Sequence, residues 1–177
     1  MEECCSDYKN ISITIEQVEN RCKHGIVQGK KFRMRDIIPD GLCVHAYNVA
    51  FPYCWTFLKK GWFLWVKKGD GVIAQCPNPS CSLVMKIKPS KENASIEVVQ
   101  VRGRCPNKHS VGDKFILRPN NVQVCPEIFP AVYPVATELF YNTTSIECNN
   151  PRRVRVQTDA GEVTLVIKKD NYSKSHK

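Results

Sequence analysis

Thiols and imidazoles are the side chains of this sequence with the clearest chemical potential. Six of the ten cysteines fall at matching places in two stretches of the chain: Cys22 with Cys105, Cys43 with Cys125, and Cys76 with Cys148. A histidine follows the first cysteine of each stretch, His24 in one and His109 in the other. Each stretch therefore offers three thiolates and an imidazole, a donor set that zinc binds tetrahedrally.

We predict one metal site in each stretch. Cysteine thiolates hold iron–sulfur clusters as well as zinc, so the choice between the two cofactors stays open. The predicted ligands are, in the first stretch, Cys22, His24, Cys43 and Cys76, and in the second, Cys105, His109, Cys125 and Cys148.

Four cysteines have no counterpart in the other stretch: Cys4, Cys5, Cys54 and Cys81. Cys54 or Cys81 could give the first site a fourth thiolate in place of His24, although we expect both to be core or surface thiols because free cysteine is often buried. The adjacent Cys4 and Cys5 receive no role. His45 lies beside Cys43 on a predicted helix, and we expect it at the surface.

A nucleophilic cysteine is the alternative to a metal ligand, since both need the same deprotonated sulfur. Cys105 is near His109 in sequence and is followed by Lys108, whose charge would lower a thiol pKa. A cysteine-dependent redox enzyme using Cys105 or Cys22 is therefore the second hypothesis. The chain has no Gly-rich phosphate loop, GxSxG or HExxH motif, so catalytic residues stay unassigned.

The two stretches are copies of one unit. The segment from Ile13 to Cys22 matches that from Ile96 to Cys105, and the match continues beyond both cysteines. A repeat of roughly 80 residues is a small domain rather than a solenoid unit. We predict a flexible lead at 1–10, a first unit at 11–89, a linker at 90–94, a second unit at 95–169, and a disordered basic tail at 170–177.

The elements that must position the thiols follow the same plan in both copies. Alternating apolar residues predict strands, and the stretch Cys43–Lys60 has helical spacing, with Pro52 expected to kink or break it. The predicted fold class is α+β, as two tandem repeats of a small β-β-α-β-β unit. Predicted strands lie at 11–18, 29–35, 62–66, 72–75, 83–87, 96–101, 114–117, 154–157 and 162–168, and the second helical region at 125–141.

Charge and composition restrict the partners. The net charge of +9 is spread over both copies without a run of five basic residues, which favours a solvated basic surface over nucleic-acid binding. No stretch approaches the ~20 apolar residues of a membrane span, and the short run Trp62–Val66 is interpreted as a buried strand. We therefore expect no membrane partner and leave the oligomeric state open.

The compartment decides how cysteines are used. The acidic, polar start of the chain lacks the features of a secretory signal, so we expect a cytoplasmic protein with reduced thiols. A secreted disulfide-bonded binding module is the third hypothesis. It would give a use to the sequons at Asn10, Asn93, Asn142 and Asn171, which we otherwise attribute to chance.

The stretch Val101–Phe115 resembles a small uncharacterised Cys-rich family found largely in anaerobic bacteria and archaea. Its motifs are CPxxH followed by VGDxF, a Gly-x-Cys opening a helix, and a turn of the CNDGxRPV kind. Here Cys105–Phe115, Gly41–Cys43 and Cys148–Val154 correspond to them. The first copy departs from the pattern, since Cys22-Lys23-His24 is shorter and lacks proline. The resemblance implies two tandem copies of a usually single unit and a shared Cys3His constellation, without an activity.

Together these observations predict a cytoplasmic two-domain metal-binding protein with zinc or iron–sulfur sites. We expect an accessory, structural or electron-transfer role, with a protein partner or a redox enzyme as its counterpart.

Overall fold

The computed structural model describes residues 11–18, 27–67, 69–90, 93–105, 108–118, 126–141, 150–158 and 161–170. These residues form eight strands and two α-helices, so the α+β class is confirmed. In chain order the elements are β1 (Ile11–Val18), β2 (Lys31–Arg33), a 3-10 turn (Met34–Ile37), α1 (Val44–Leu58), β3 (Val72–Gln75), β4 (Val84–Ser90), β5 (Asn93–Gln100), β6 (Lys114–Leu117), a 3-10 turn (Pro126–Ile128), α2 (Phe129–Tyr141), β7 (Arg152–Thr158) and β8 (Gly161–Lys169).

The strands form two antiparallel four-stranded sheets. One has the order β3-β4-β5-β6 and belongs to a compact unit that spans Ile38–Val122, while the other has the order β2-β1-β8-β7. The second unit combines Ser6–Ile37 with Gln123–Lys177. Each sheet therefore takes two strands from each half of the sequence.

These units do not coincide with the predicted ranges 11–89 and 95–169. The reason lies in the predicted linker at 90–94, where Ser90 of β4 is paired with Asn93 of β5. Two strands joined by so short a connection form a hairpin, because antiparallel neighbours need only about two connecting residues. The hairpin joins the last strand of the first copy to the first strand of the second.

In the first unit, α1 packs against β3, β4 and β5. The alternation that predicted these strands places Met85 and Ile87 of β4, and Ile96 and Val98 of β5, in the core with at most 1% exposure. Burying a side chain of this size contributes ~1.5–3 kcal/mol. Period-two patterning thus fixes which sheet face meets α1.

In the second unit, α2 packs against β8, β7 and β1. Alternating isoleucines of β1 and apolar residues of β8 fill its core, and Arg153 of β7 holds Glu16 of β1 through hydrogen bonds of 2.9–3.1 Å. No helix among the residues that the structure describes is long and apolar enough to cross a membrane.

Three local expectations were wrong. The stretch Trp62–Val66 is not a strand but a largely exposed turn after α1. Pro52 does not break α1, which continues through it to Leu58, and the alternative effect, a kink, stays a prediction. Pro52 is exposed, so the carbonyl left without an N–H donor can meet water. His45 is buried, with 7% exposure, because the first turn of α1, Val44 to Tyr47, is buried on all sides.

Candidate functional site: a cluster of buried thiols

Half of the predicted ligands lie in one unit. Cys43 and Cys76 come from the first copy, Cys105 and His109 from the second, and all four belong to the unit spanning Ile38–Val122. The structure therefore combines halves of the two predicted sites. The other predicted ligands, Cys22, His24, Cys125 and Cys148, lie outside the described residues.

Cys43 occupies the N-cap of α1. Its backbone is extended, with φ −67° and ψ 138°, and its carbonyl accepts the first helical hydrogen bond, from the N–H of Tyr47, at 2.9 Å. Its thiol makes no capping hydrogen bond. A sulfur at this position is close to the positive end of the helix dipole, which stabilises a thiolate.

Cys76 and Cys81 are held by a turn containing two prolines. The N–H of Cys76 donates to the carbonyl of Leu83 at 2.8 Å, which closes the base of the turn. Within it the Asn78 side chain accepts from the N–H of Ser80 at 2.9 Å, and the Asn78 carbonyl accepts from the N–H of Cys81 at 3.4 Å. The intervening Pro77 and Pro79 restrict the backbone further.

The loop after β5 brings Cys105 against this turn. The N–H of Arg102 donates to the carbonyl of Cys81 at 3.0 Å, and that of Arg104 donates to the carbonyl of Ser80 at 3.1 Å. Between them Gly103 has φ +89°, and a Cβ there would lie 2.5 Å from the carbonyl oxygen of Ser80. The two loops approach so closely because Gly103 has no side chain.

Four thiols meet where these loops converge. The thiols of Cys43 and Cys81 lie close enough to the Cys76 thiol to shift its pKa, and the Cys105 thiol lies close enough to the Cys81 thiol to do the same there. All four residues are buried, with 8% exposure or less. The neighbouring Cys43 thiol, together with burial, raises the pKa of Cys76 far above its ordinary value, and burial raises that of Cys81.

His109 supports this cluster from one side. Its Nε2 accepts a hydrogen bond from the N–H of Cys43 at 3.2 Å, and its Nδ1 is 3.8 Å from a carboxylate oxygen of Asp113. Burial lowers the pKa of His109 despite the opposing effect of Asp113, which favours the neutral imidazole that this bond needs. In the structure His109 positions the start of α1, and Cys81 completes the group of four sulfurs.

Cys54 belongs to a different environment. It is fully buried on α1 beside Tyr47, and burial raises its pKa to about 12. It behaves as a small core residue, as expected. Cys81, by contrast, was predicted only as an alternative to His24 in the first site, although its spacing from Cys76 across two prolines was a signal for it.

All five cysteines that the structure describes, Cys43, Cys54, Cys76, Cys81 and Cys105, are buried thiols outside any disulfide. As the side chains stand, no group of three or more His, Cys, Asp or Glu residues in the described ranges is arranged to hold a metal ion. Four adjoining thiols can nevertheless lose protons to a metal, or be oxidised in pairs.

Comparison of the chain with protein-family models, with curated proteins and with solved structures gives no match.

Proposed function

We propose that the unit spanning Ile38–Val122 binds one zinc ion or one iron–sulfur cluster through Cys43, Cys76, Cys81 and Cys105. The observation that supports this is the convergence of four buried thiols from three separate loops. Packing alone does not explain four adjacent thiols, because aliphatic side chains could fill the same space in an apolar core.

The donor set fits these two cofactors. Soft sulfur ligands select zinc, copper(I) or iron–sulfur clusters over magnesium and calcium, and four of them match the tetrahedral preference of zinc. The thiols must turn from their pairwise contacts towards a common centre, with zinc–sulfur distances of about 2.3 Å. Four thiolates carry a large negative charge. The positive end of the α1 dipole at Cys43 would offset part of it, and so would the positive charges of Arg102 and Arg104, which precede Cys105 in the sequence.

We further propose that the chain consists of two copies of one unit that have exchanged strands. When β1 to β4 are matched with β5 to β8 in order, the sheet β2-β1-β8-β7 becomes β6-β5-β4-β3, which is the other sheet. The helices correspond too, since α1 packs on β4, β5 and β3, and α2 on β8, β1 and β7. The metal-binding roles predicted for Cys22, His24, Cys125 and Cys148 stay predictions.

We propose an accessory, structural or electron-transfer role for this protein. It would act in the cytoplasm, with a protein partner such as a redox enzyme. Buried thiols favour a reducing compartment. The resemblance to the Cys-rich family of anaerobes agrees with a metal site and adds no activity.

A reversible dithiol switch is the second candidate. It is favoured by the closeness of the Cys76 thiol to two other thiols, since oxidation of such a pair to a disulfide needs little movement. Use of Cys105 as a nucleophile is less favoured, because Cys105 is only 8% exposed and a reactive cysteine must be accessible to its substrate.

The test is metal analysis of the full chain purified without oxygen, with its absorption spectrum. Zinc without colour indicates the structural site, and iron with visible absorption indicates a cluster. Cys81→Ser should lose the metal of this unit, and the matched variant Cys54→Ser should keep it, because Cys54 is a buried thiol outside the cluster.

Two results would refute the metal site. One is a metal-free chain that gains no stability from added zinc or reconstituted iron and sulfide. The other is equal metal content in Cys81→Ser and the wild type. Disulfides among Cys43, Cys76, Cys81 and Cys105 after mild oxidation of metal-free protein would then support the dithiol switch.

A further inference from the structure

The stretch Gly61–Lys67, here called the Trp loop, exposes an unusual amount of apolar surface. Leu64 is 101% exposed, Trp65 75% and Trp62 38%. Apolar side chains this accessible are ordinary when scattered, but three within four positions form a patch that marks an interaction site.

The Trp loop is anchored rather than loose. The N–H of Gly61 donates to the carbonyl of Thr56 on α1 at 2.8 Å, and the N–H of Val66 donates to the carbonyl of Phe63 at 3.0 Å. The indole N–H of Trp62 closes the loop by donating to the carbonyl of Val66 at 2.8 Å. Its conformation is therefore set before any partner arrives, which reduces the entropy lost on binding.

An aromatic base carries the loop. Phe63 packs against Tyr53 and Phe57 of α1 with ring centroids 5.4 and 5.6 Å apart, and Trp62 lies 5.4 Å from Phe57. Phe63 is thus turned inward, while Leu64 at the next position is turned outward. Because Phe63 packs against α1, the side chain that follows it is left on the outside of the loop.

Lysines flank the loop on both sides in the sequence. Lys59 and Lys60 precede the loop and Lys67 ends it, all three exposed, and Lys68 follows in the sequence. No acidic residue occurs between Lys59 and Lys68. Lys59 also lies over the ring of Trp55, with Nζ 4.7 Å from its centroid, so its charge is held at the same end of α1.

We propose that the Trp loop docks the protein onto an anionic phospholipid surface, with Leu64 and Trp65 inserted between the headgroups. A protruding apolar tip among lysines suits a surface that is negative outside and apolar a few ångströms deeper. Tryptophan favours that boundary because its ring is apolar and its N–H is polar. Such docking needs no segment that spans the membrane. The sequence indicated no membrane partner only because the chain lacks an apolar stretch of that length.

The experiment measures binding of the full chain to phosphatidylcholine vesicles with and without phosphatidylglycerol, by co-sedimentation and tryptophan fluorescence. The wild type should bind only the anionic vesicles, with a blue-shifted emission, and lose most binding at high salt. Leu64→Ser and Trp65→Ser should each weaken binding about tenfold, since each removes one inserted apolar side chain.

Matched variants separate insertion from general effects. Val111→Ser removes an apolar side chain of 64% exposure outside the loop and should bind as the wild type does. Lys60→Gln and Lys67→Gln should each weaken binding by about fivefold, the effect of one lysine near an anionic surface, whereas Lys31→Gln, at an exposed lysine of β2, should change little.

Several outcomes would overturn the proposal. No binding of the wild type to anionic vesicles at low salt is one, and equal binding to neutral vesicles is another. Full binding by Leu64→Ser and Trp65→Ser would show that charge alone attracts the protein. If the lipid-free wild type is a dimer in sedimentation and Leu64→Ser a monomer, the loop is an interface between copies of this chain.

Discussion

A buried thiol keeps its proton to an unusually high pH, because burial disfavours the thiolate. This applies to Cys54 in the core of the first unit and to Cys76 and Cys81 in the cluster. The two environments nevertheless differ. In the core nothing replaces the proton, whereas at the cluster the proposed metal ion would displace all four protons and reverse the effect of pH.

The metal-free protein should therefore lose stability in alkali. These pKa values lie above 9.0 in the folded state, so the unfolded chain releases its protons first, and the free energy of unfolding falls as the pH rises beyond about 9. Each such group lowers it by up to ~1.4 kcal/mol per pH unit. Urea unfolding with chelator and reductant at a series of pH values measures the decline.

Cys54→Ala is the control for this decline. In this variant the free energy of unfolding should fall less steeply with pH, because one titrating thiol has been removed. Metal-loaded protein should instead bind its metal more tightly as the pH rises from acid to neutral, because protons then compete less for the sulfurs. A free energy of unfolding that stays level above pH 9 in the metal-free protein would contradict the assignment of these thiols as buried acids.

His109 should make the same unit sensitive to acid. Its pKa is lowered below 6.5, so the unfolded chain takes up a proton first, and stability declines as the pH falls below 6.5. Protonation also turns Nε2 from an acceptor into a donor, which breaks its bond with the N–H of Cys43.

His109→Gln tests this dependence, because the amide oxygen can accept from Cys43 without titrating. The variant should be slightly less stable at neutral pH and should lose the decline between pH 6.5 and 5, measured by thermal unfolding. An unchanged pH profile would mean that another group causes it.

At the scale of the elements, local patterns predicted most strands and both helices, but they did not predict whether each apolar segment is buried. The alternation in β1, β3 and β6 located those strands because one sheet face is buried. The run Trp62–Val66 misled because apolar character alone does not say whether a core is available to receive it. Gly61 and the flanking lysines were the signals of an exposed turn.

The approach of two loops is what holds Cys81 beside Cys105, and Gly103 controls it. Gly103→Ala would place a Cβ 2.5 Å from the carbonyl oxygen of Ser80, where the backbone must move. We expect a loss of ~2–4 kcal/mol in unfolding free energy and weaker metal binding, from strain combined with broken loop contacts.

Gly112→Ala is a matched control, because Gly112 also has a positive φ, +94°, but a Cβ there meets nothing within 4 Å. It should cost only ~1 kcal/mol, the usual strain of a left-handed alanine, and leave metal content unchanged. Equal effects of the two substitutions, measured by chemical unfolding and metal analysis, would remove the role given to the loop contact.

At the scale of the whole molecule, the repeat in the sequence indicated two similar sets of elements but not which strands pair. β1 and β5 carry the same alternating pattern, so β4 can be matched with either of them on hydrophobicity alone. The short connection from Ser90 to Asn93 decides for β5. The same connection places Cys105, which follows β5, in the unit that also holds Cys43, Cys76 and Cys81, a grouping that the repeat in the sequence did not indicate.

The two divisions of the chain make opposite predictions for fragments. A fragment of residues 38–122 contains α1, the sheet β3-β4-β5-β6 and all four thiols, whereas a fragment of residues 11–89 has Cys43, Cys76 and Cys81 but neither β5 nor Cys105. Without β5, strand β4 loses one of its two partners and the apolar face of α1 loses part of its contact surface.

We therefore expect the fragment 38–122, loaded with metal, to unfold cooperatively on heating and to bind one equivalent of zinc or cluster. Fragment 11–89 should lack a cooperative transition, because it loses β5 and with it part of an already small core, and it should bind metal more weakly because it lacks Cys105. Circular dichroism with temperature and metal analysis of both fragments provide the comparison. If 11–89 unfolds cooperatively as a monomer and 38–122 does not, the strands pair within each copy of the repeat, and the cluster of four thiols is not the site.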